Sequence, residues 1–231
     1  MTASRRARTR PEPTPHTSTT DRPVVVVLHG LARTHRSVAG LRRAIEAAGW
    51  PTWSATYPSR RLSIGELSVA MAEQIQREAP AAAYHAVTHS MGGILVRHMR
   101  ALLPWSRVVM MAPPNRGSRV GLALRDHPLY RWFYGPAGRE LTEPEAWPPP
   151  PSPFAVLAGT RALSLGNPIS WLTRGAELFP PDAPSDGTVS VEETKLPDMA
   201  AFAQIDASHT FIMDHPEARA RTLAFLEHGR W

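Results

Sequence analysis

Tyr84-His85-Ala86-Val87-Thr88-His89-Ser90-Met91-Gly92-Gly93-Ile94-Leu95-Val96 decides how this chain is read. A short strand-forming run meets a polar corner and passes at once into a run with helical character. That order predicts a strand, a tight turn and a helix, with a serine at the apex. The small residues around the serine have a physical reason. A backbone held in a sparsely allowed conformation leaves Oγ standing free, and Gly92 and Gly93 let the helix begin close to the strand without side-chain clashes. Met91 would place its backbone N–H at a helix N-terminus, where unpaired donors and the helix dipole favour an oxyanion. Ser90 is therefore a candidate nucleophile, the alternative being a serine that merely caps the helix. Thr88 stands where the pattern Gly-x-Ser-x-Gly has glycine.

Outward from this stretch, strands and helices alternate. Val24-Val25-Val26-Val27-Leu28 is an unbroken apolar run, as a strand buried on both faces requires, and it ends in His29-Gly30-Leu31. Val38, Leu41, Ile45 and Ala48 then recur at helical spacing, closed by Gly49. Pro51 to Tyr57 reads as a second strand. Leu62 to Ala79 reads as a helix opened by the capping box Ser63-x-x-Glu66, with Ile64, Leu67, Met71 and Ile75 on one stripe. Beyond Ser90 the helix is expected from Gly92 to Leu103, stopped by Pro104. Strands follow at Arg107 to Ala112 and Phe154 to Gly159, and the last comes from Thr188 to Val191 or Phe202 to Ile205. A helix starting near Pro216, with Asp214 as N-cap and Leu223 and Leu226 buried, closes the chain. The alternation predicts an α/β fold, a mostly parallel central sheet flanked by helices.

The connection at about 113–153 exceeds an ordinary βα loop. It holds the aromatic run Leu129-Tyr130-Arg131-Trp132-Phe133-Tyr134 and ends in the stiff spacer Trp147-Pro148-Pro149-Pro150-Pro151. Two readings stand: a flap over an apolar pocket, or a helix packing its aromatic face on the sheet edge.

The 231 residues suit one domain from 23 to 231, which at this size buries roughly 70 to 75% of its unfolded surface. Zero cysteines exclude a disulfide framework, thiolate metal sites and a cysteine nucleophile. The net charge of +6 is half accounted for by residues 1–22, where five arginines face two acids, a net of +3. The other basic residues are arginines apart from Lys195, and no basic stripe interleaved with aromatics accompanies them, so nucleic acid is not an expected partner. Residues 1–22 cannot offset their ordering entropy and read as a disordered tail. Arg5-Arg6 is not followed by an apolar stretch of signal-peptide length, and no run of about 18 apolar residues occurs. A cytoplasmic protein without a transmembrane segment is expected, with peripheral contact of the basic tail to anionic membrane a further option.

A nucleophilic serine needs a base, and the base needs an orienting carboxylate. After Ser90 the histidines are His98, His127, His209, His215 and His228. His98 lies within the helix and His127 within the long connection. His209 follows the strand-like Phe202-Ala203-Gln204-Ile205 and precedes the last helix, whereas His215 sits at that helix's start. Asp182, Asp186, Asp198 and Asp206 are the available acids. Asp186, in Ser185-Asp186-Gly187-Thr188-Val189, lies in a turn that can aim a carboxylate inward, or it is simply a turn-forming Asp-Gly. Asp206 is close enough to His209 to serve its loop instead.

Four separated segments, His29-Gly30-Leu31, Thr88-His89-Ser90-Met91-Gly92-Gly93, Ser185-Asp186-Gly187-Thr188-Val189 and Ser208-His209-Thr210-Phe211, together resemble the α/β-hydrolase superfamily, and within it small bacterial lipases and esterases. They run in that family's order of serine, acid, histidine. The resemblance implies Ser90 as nucleophile, His209 as base and Asp186 as its orienting acid. It also implies an oxyanion hole from the Leu31 and Met91 N–H groups, with His29 a structural neighbour. The first strand stands where the family has its third, implying a minimal sheet of about six strands. The expected activity is cleavage of a small-molecule carboxylic ester, lipid-like or short-chain, through an acyl-enzyme, with no metal or organic cofactor. His85 and His89 are four apart on a strand and are read as packing. An acyltransferase with the same triad, and a silent binding protein on the same scaffold, are the alternative functions.

Overall fold

The structure is a computed structural model and describes residues 22–165, 168–175, 178–180 and 183–231. The expected tail, Arg22 apart, and Asp182 lie outside the described residues. β1 (Val24–Leu28), β2 (Thr52–Trp53), β3 (Tyr84–His89), β4 (Trp105–Met111), β5 (Phe154–Gly159) and β6 (Ala201–Ile205) form one sheet in the order β2-β1-β3-β4-β5-β6. All five pairings are parallel.

The helices cover both faces of that sheet, which is why its central strands are apolar without alternation. Val25 and Val27 point toward α1 (Ala39–Ala47) and join Leu41 and Ile45 in one core. Val26 and Leu28 point the other way, toward Ile64, Leu67, Met71 and Ile75 of α2 (Ile64–Glu78) and Ile94 and Leu95 of α3 (Met91–His98). In β4, Val108 and Met110 share that second core while Val109 and Met111 share the first. Full burial of each such side chain contributes about 1.5–3 kcal/mol.

α2 opens on the expected capping box: Ser63 accepts from the Glu66 N–H, and the Glu66 carboxylate accepts from the Ser63 N–H. β2 is shorter than the sequence suggests. It is an edge strand, and at Ser54 the side-chain hydroxyl, 2.8 Å from the Val27 carbonyl, takes the acceptor on β1 as the chain turns away. α3 stops at His98 instead of Leu103. The carbonyls beyond it are taken by side chains, Met99 O by the Trp105 indole N–H and Leu102 O by Gln76, and the residue before Pro104 is disfavoured from helix.

The connection after β4 folds into α4 (Arg119–Leu124) and α5 (Pro128–Glu140). α5 is broken at Gly135, φ 63°, where a Cβ would sit 1.9 Å from the Arg60 carbonyl oxygen. Buried Arg97 of α3 ties the two ends of the connection together. It donates to Asn115 O at 2.9 Å, Pro148 O at 2.7 Å and Trp147 O at 3.3 Å. Its guanidinium lies over the Trp147 ring, and burial lowers its pKa to about 10.

After α6 (Pro168–Gly175), Thr188 to Val191 is not a strand. The Thr188 and Val189 N–H groups are diverted to the Asp186 side chain and that of Ser190 to Glu193, and Ser190 caps the short α7 (Val191–Thr194). The last strand is Ala201–Ile205. α8 (Pro216–His228) has His215 at its N-cap, while Asp214, the expected cap, lies in the preceding turn and pairs with Arg219. α8 buries Phe225 and Leu226 against the sheet, with Leu223 only partly covered. No described helix is long and apolar enough to cross a membrane.

Candidate active site

Ser90 sits between β3 and α3 at φ 53°, ψ −125°, and its side chain makes no capping bond. Its own N–H donates to Met111 O at 2.9 Å, so the strained turn is anchored to the neighbouring strand. The helix begins so close to β1 that a Cβ on Gly92 would lie 2.9 Å from His29 O and 3.0 Å from Leu28 O. Thr88 is accommodated by the second glycine: a Cβ on Gly93 would lie 3.3 Å from Thr88 Oγ1. The threonine hydroxyl faces the Val109 carbonyl at 3.4 Å.

His209, on the loop between β6 and α8, brings Nε2 to 3.1 Å from Ser90 Oγ. Its Nδ1 lies 2.7 Å from Asp186 Oδ2, and its backbone N–H donates to Asp186 O at 3.1 Å. The other carboxylate oxygen, Oδ1, accepts from the Thr188 N–H at 2.9 Å and the Val189 N–H at 2.7 Å. Asp186 is fully buried, and every one of these bonds fixes its orientation. A carboxylate can only accept, so Nδ1 carries the proton and Nε2 presents its lone pair to the serine hydroxyl. Residues at three distant positions thus form one hydrogen-bonded line, Asp186 to His209 to Ser90.

Leu31 lies in a turn closed by the Arg33 N–H on Gly30 O at 3.3 Å, with Ala32 at φ 56°. Met91 is the first residue of α3, where an N–H has no acceptor within the helix. His29 is engaged elsewhere. Its ring stacks on Tyr57 at 3.9 Å, its Nδ1–H donates to Gly30 O at 2.8 Å, and burial lowers its pKa to about 4.

The remaining candidates are used elsewhere. His215 stands at the N-cap position of α8 without a side-chain capping bond, and His127 caps α5 by accepting from the Leu129 N–H. Asp206 makes an exposed ion pair with Arg161 at 2.8 Å, and Asp198 occupies a turn at φ 60°. His98 sits within α3, and His228 in the last turn of α8.

Ser90 and His209 open into a cleft of about 540 Å³, walled by Val120, Tyr130, Phe133, Tyr134 and Leu141 from the long connection and by Leu31 from the loop after β1. Its aromatic run therefore lines the cleft, in place of packing on the sheet edge. Leu129 and Trp132 face outward, at 68% and 76% exposed.

No family model matches the sequence, and no curated protein matches it. Solved structures do. The mature lipase BlEst2 of Bacillus licheniformis superposes with a TM-score of 0.69 at 17% identity, covering 95% of this chain and 96% of that one. Phospholipase PlaB of Legionella pneumophila gives 0.66 at 17% identity over 88% of this chain, which spans 60% of PlaB. A thermophilic esterase of Thermogutta terrifontis gives 0.56 at 13% identity, covering 90% and 91%. The chain has the α/β-hydrolase fold.

Within this α/β-hydrolase fold three features were not read from the sequence. His89, fully buried beside Ser90, donates its Nε2–H to the His209 carbonyl at 2.8 Å and so holds the loop that carries it. Burial depresses its pKa well below the usual histidine value, helped by the nearby His209, so the ring stays neutral. Glu193 accepts from the Arg119 N–H at 2.7 Å and from Ser190, joining α4 to the Asp186 loop. The spacing Ser190-x-x-Glu193 was the available clue. Arg33 lines the cleft and donates to Thr210 Oγ1 at 2.9 Å.

Proposed function

We propose that this protein hydrolyses carboxylic esters, with Ser90 as nucleophile. The observation that carries the reading is the line of two hydrogen bonds through His209, 3.1 Å to Ser90 Oγ and 2.7 Å to Asp186 Oδ2. Ser90 Oγ attacks the acyl carbon as its proton passes to His209 Nε2. Asp186 keeps the imidazole in the receiving tautomer and stabilises the imidazolium that forms. Negative charge grows on the carbonyl oxygen, and the Leu31 and Met91 N–H groups are assigned to it. One such donor is worth roughly a hundredfold or more in rate. The intermediate collapses, the ester C–O bond breaks, and the departing alcohol takes the proton from His209. Water, deprotonated by the same histidine, then attacks the acyl-serine and releases the acid.

The aromatic and aliphatic wall supports an acyl chain as the group bound there, and the likeness in fold to proteins named lipase, phospholipase and esterase supports ester chemistry. A fluorophosphonate probe tests the nucleophile. The native protein is expected to gain one phosphonyl group on the peptide holding Ser90, and Ser90→Ala none. A native protein that stays unmodified, or a label elsewhere that survives Ser90→Ala, contradicts the assignment.

A further inference from the structure

The wall of the cleft contains one permanently charged side chain, Arg33, and no Asp or Glu. The residue follows the turn that carries Leu31, and its Nη2 donates to Thr210, the neighbour of His209. The guanidinium is thereby held between the two loops that frame Ser90. Among the described residues no carboxylate lies within ion-pairing distance of it. Its pKa is lowered, chiefly by burial, the sign of a cation partly withdrawn from water, while Tyr134 acts against that shift. A half-buried guanidinium with a neutral partner keeps donors to spare, and its planar fork matches carboxylate and phosphate oxygens. The cleft it lines holds no other Arg or Lys and no Asp or Glu, so an anion entering there meets one fixed cation.

We propose that Arg33 is an anion-binding subsite, so that the ester processed at Ser90 carries an oxyanion, phosphate or carboxylate, together with its apolar chain. This rests on the reading of Ser90 as the nucleophile of an ester hydrolase. It adds a charged group to the acyl chain assigned to the aromatic and aliphatic wall.

The test separates binding from turnover by using Ser90→Ala protein and calorimetric titration with octyl phosphate, octanoate and octanol. Both anions, or one of them, are expected to bind about tenfold or more tighter than octanol. Tighter octyl phosphate assigns the subsite to phosphate, and tighter octanoate to carboxylate. Arg33→Gln in the same background should bring the anion to the octanol level, and Arg33→Lys should restore part of the difference. Equal binding of all three, or an anion preference that survives Arg33→Gln in a protein with unaltered circular dichroism, overturns the proposal. Should Arg33→Gln fail to fold, raising the salt must erode the anion preference of the Ser90→Ala protein, and a salt-independent preference overturns it equally. Failure of the hydrolase reading shows separately, as a native protein that the fluorophosphonate leaves unmodified at Ser90.

Discussion

Ser90 holds a backbone conformation that costs a residue with a side chain about 1–3 kcal/mol. The turn survives because its N–H is bonded to β4 and because α3 starts in contact with the backbone of β1. Gly92→Ala drives a methyl group onto His29 O and Leu28 O, backbone atoms that cannot swing aside. We expect a loss of about 2–3 kcal/mol in urea unfolding; a change below about 0.5 kcal/mol would show that the helix can retreat. Asp186→Asn exchanges an acceptor for a group that can donate, and the proposed tautomer of His209 is lost. The expected result is a fall in kcat of roughly a thousandfold or more with KM little altered; an equal fall in binding instead would make Asp186 a purely structural residue. Ser90, Asp186 and His209 were legible because each has a chemically restricted type and sits in a stated order along the chain. Arg33 was not: one arginine in a loop among 26 basic residues has no distinguishing spacing, and its contact with Thr210 spans 177 positions.

The long connection is an element with its own anchorage. Arg97 satisfies carbonyls from both ends of it, so Arg97→Ala leaves buried acceptors at Asn115, Trp147 and Pro148 without a donor. About 3 kcal/mol or more of stability should be lost. KM for long acyl esters should also rise severalfold, because Tyr130 and Phe133 depend on that anchorage for their place in the cleft. Unchanged KM and unchanged urea midpoint would mean that the helices stand without it. Element types were readable where apolar spacing was strong: β5 and the stripe of α2 lie where the sequence puts them. Boundaries failed where side chains compete for backbone groups. Ser54 ends β2, Trp105 and Gln76 end α3, and Asp186 captures the N–H groups that a strand at Thr188 would have needed. Such competition depends on residues far apart in the chain and leaves no periodicity to read.

At the scale of the whole molecule, parallel strands covered on both faces bury histidines that are neutral in the fold. His29 and His85 have pKa values lowered to about 4, mainly by burial, and His89 is lowered as well. Unfolded, each would take a proton near 6.5. The fold excludes that proton, so its stability is fully present above about pH 6.5 and is lost as pH falls toward 4, on the order of 3 kcal/mol for His29 and less for His85, where solvent screening reduces it. Glu193, its pKa raised mainly by burial, acts in the opposite sense but is one group against four, since burial lowers His98 too. The melting temperature should therefore be nearly level above pH 7 and drop steeply below pH 6; a level profile down to about pH 4.5 would contradict this. The parallel architecture was legible from unbroken apolar strands alternating with helical stripes. The meeting of Ser90 with His209 across 119 positions was inferred from residue order, and the topology supplies it by placing β3 at the sheet centre and the β6 loop at the same strand ends. The most direct measurement is hydrolysis of p-nitrophenyl esters, from acetate to long acyl chains, by the native protein and by Ser90→Ala. Turnover by the native protein that vanishes in the folded variant is the predicted result. An inactive native protein, or a Ser90→Ala variant of equal activity, would contradict the account.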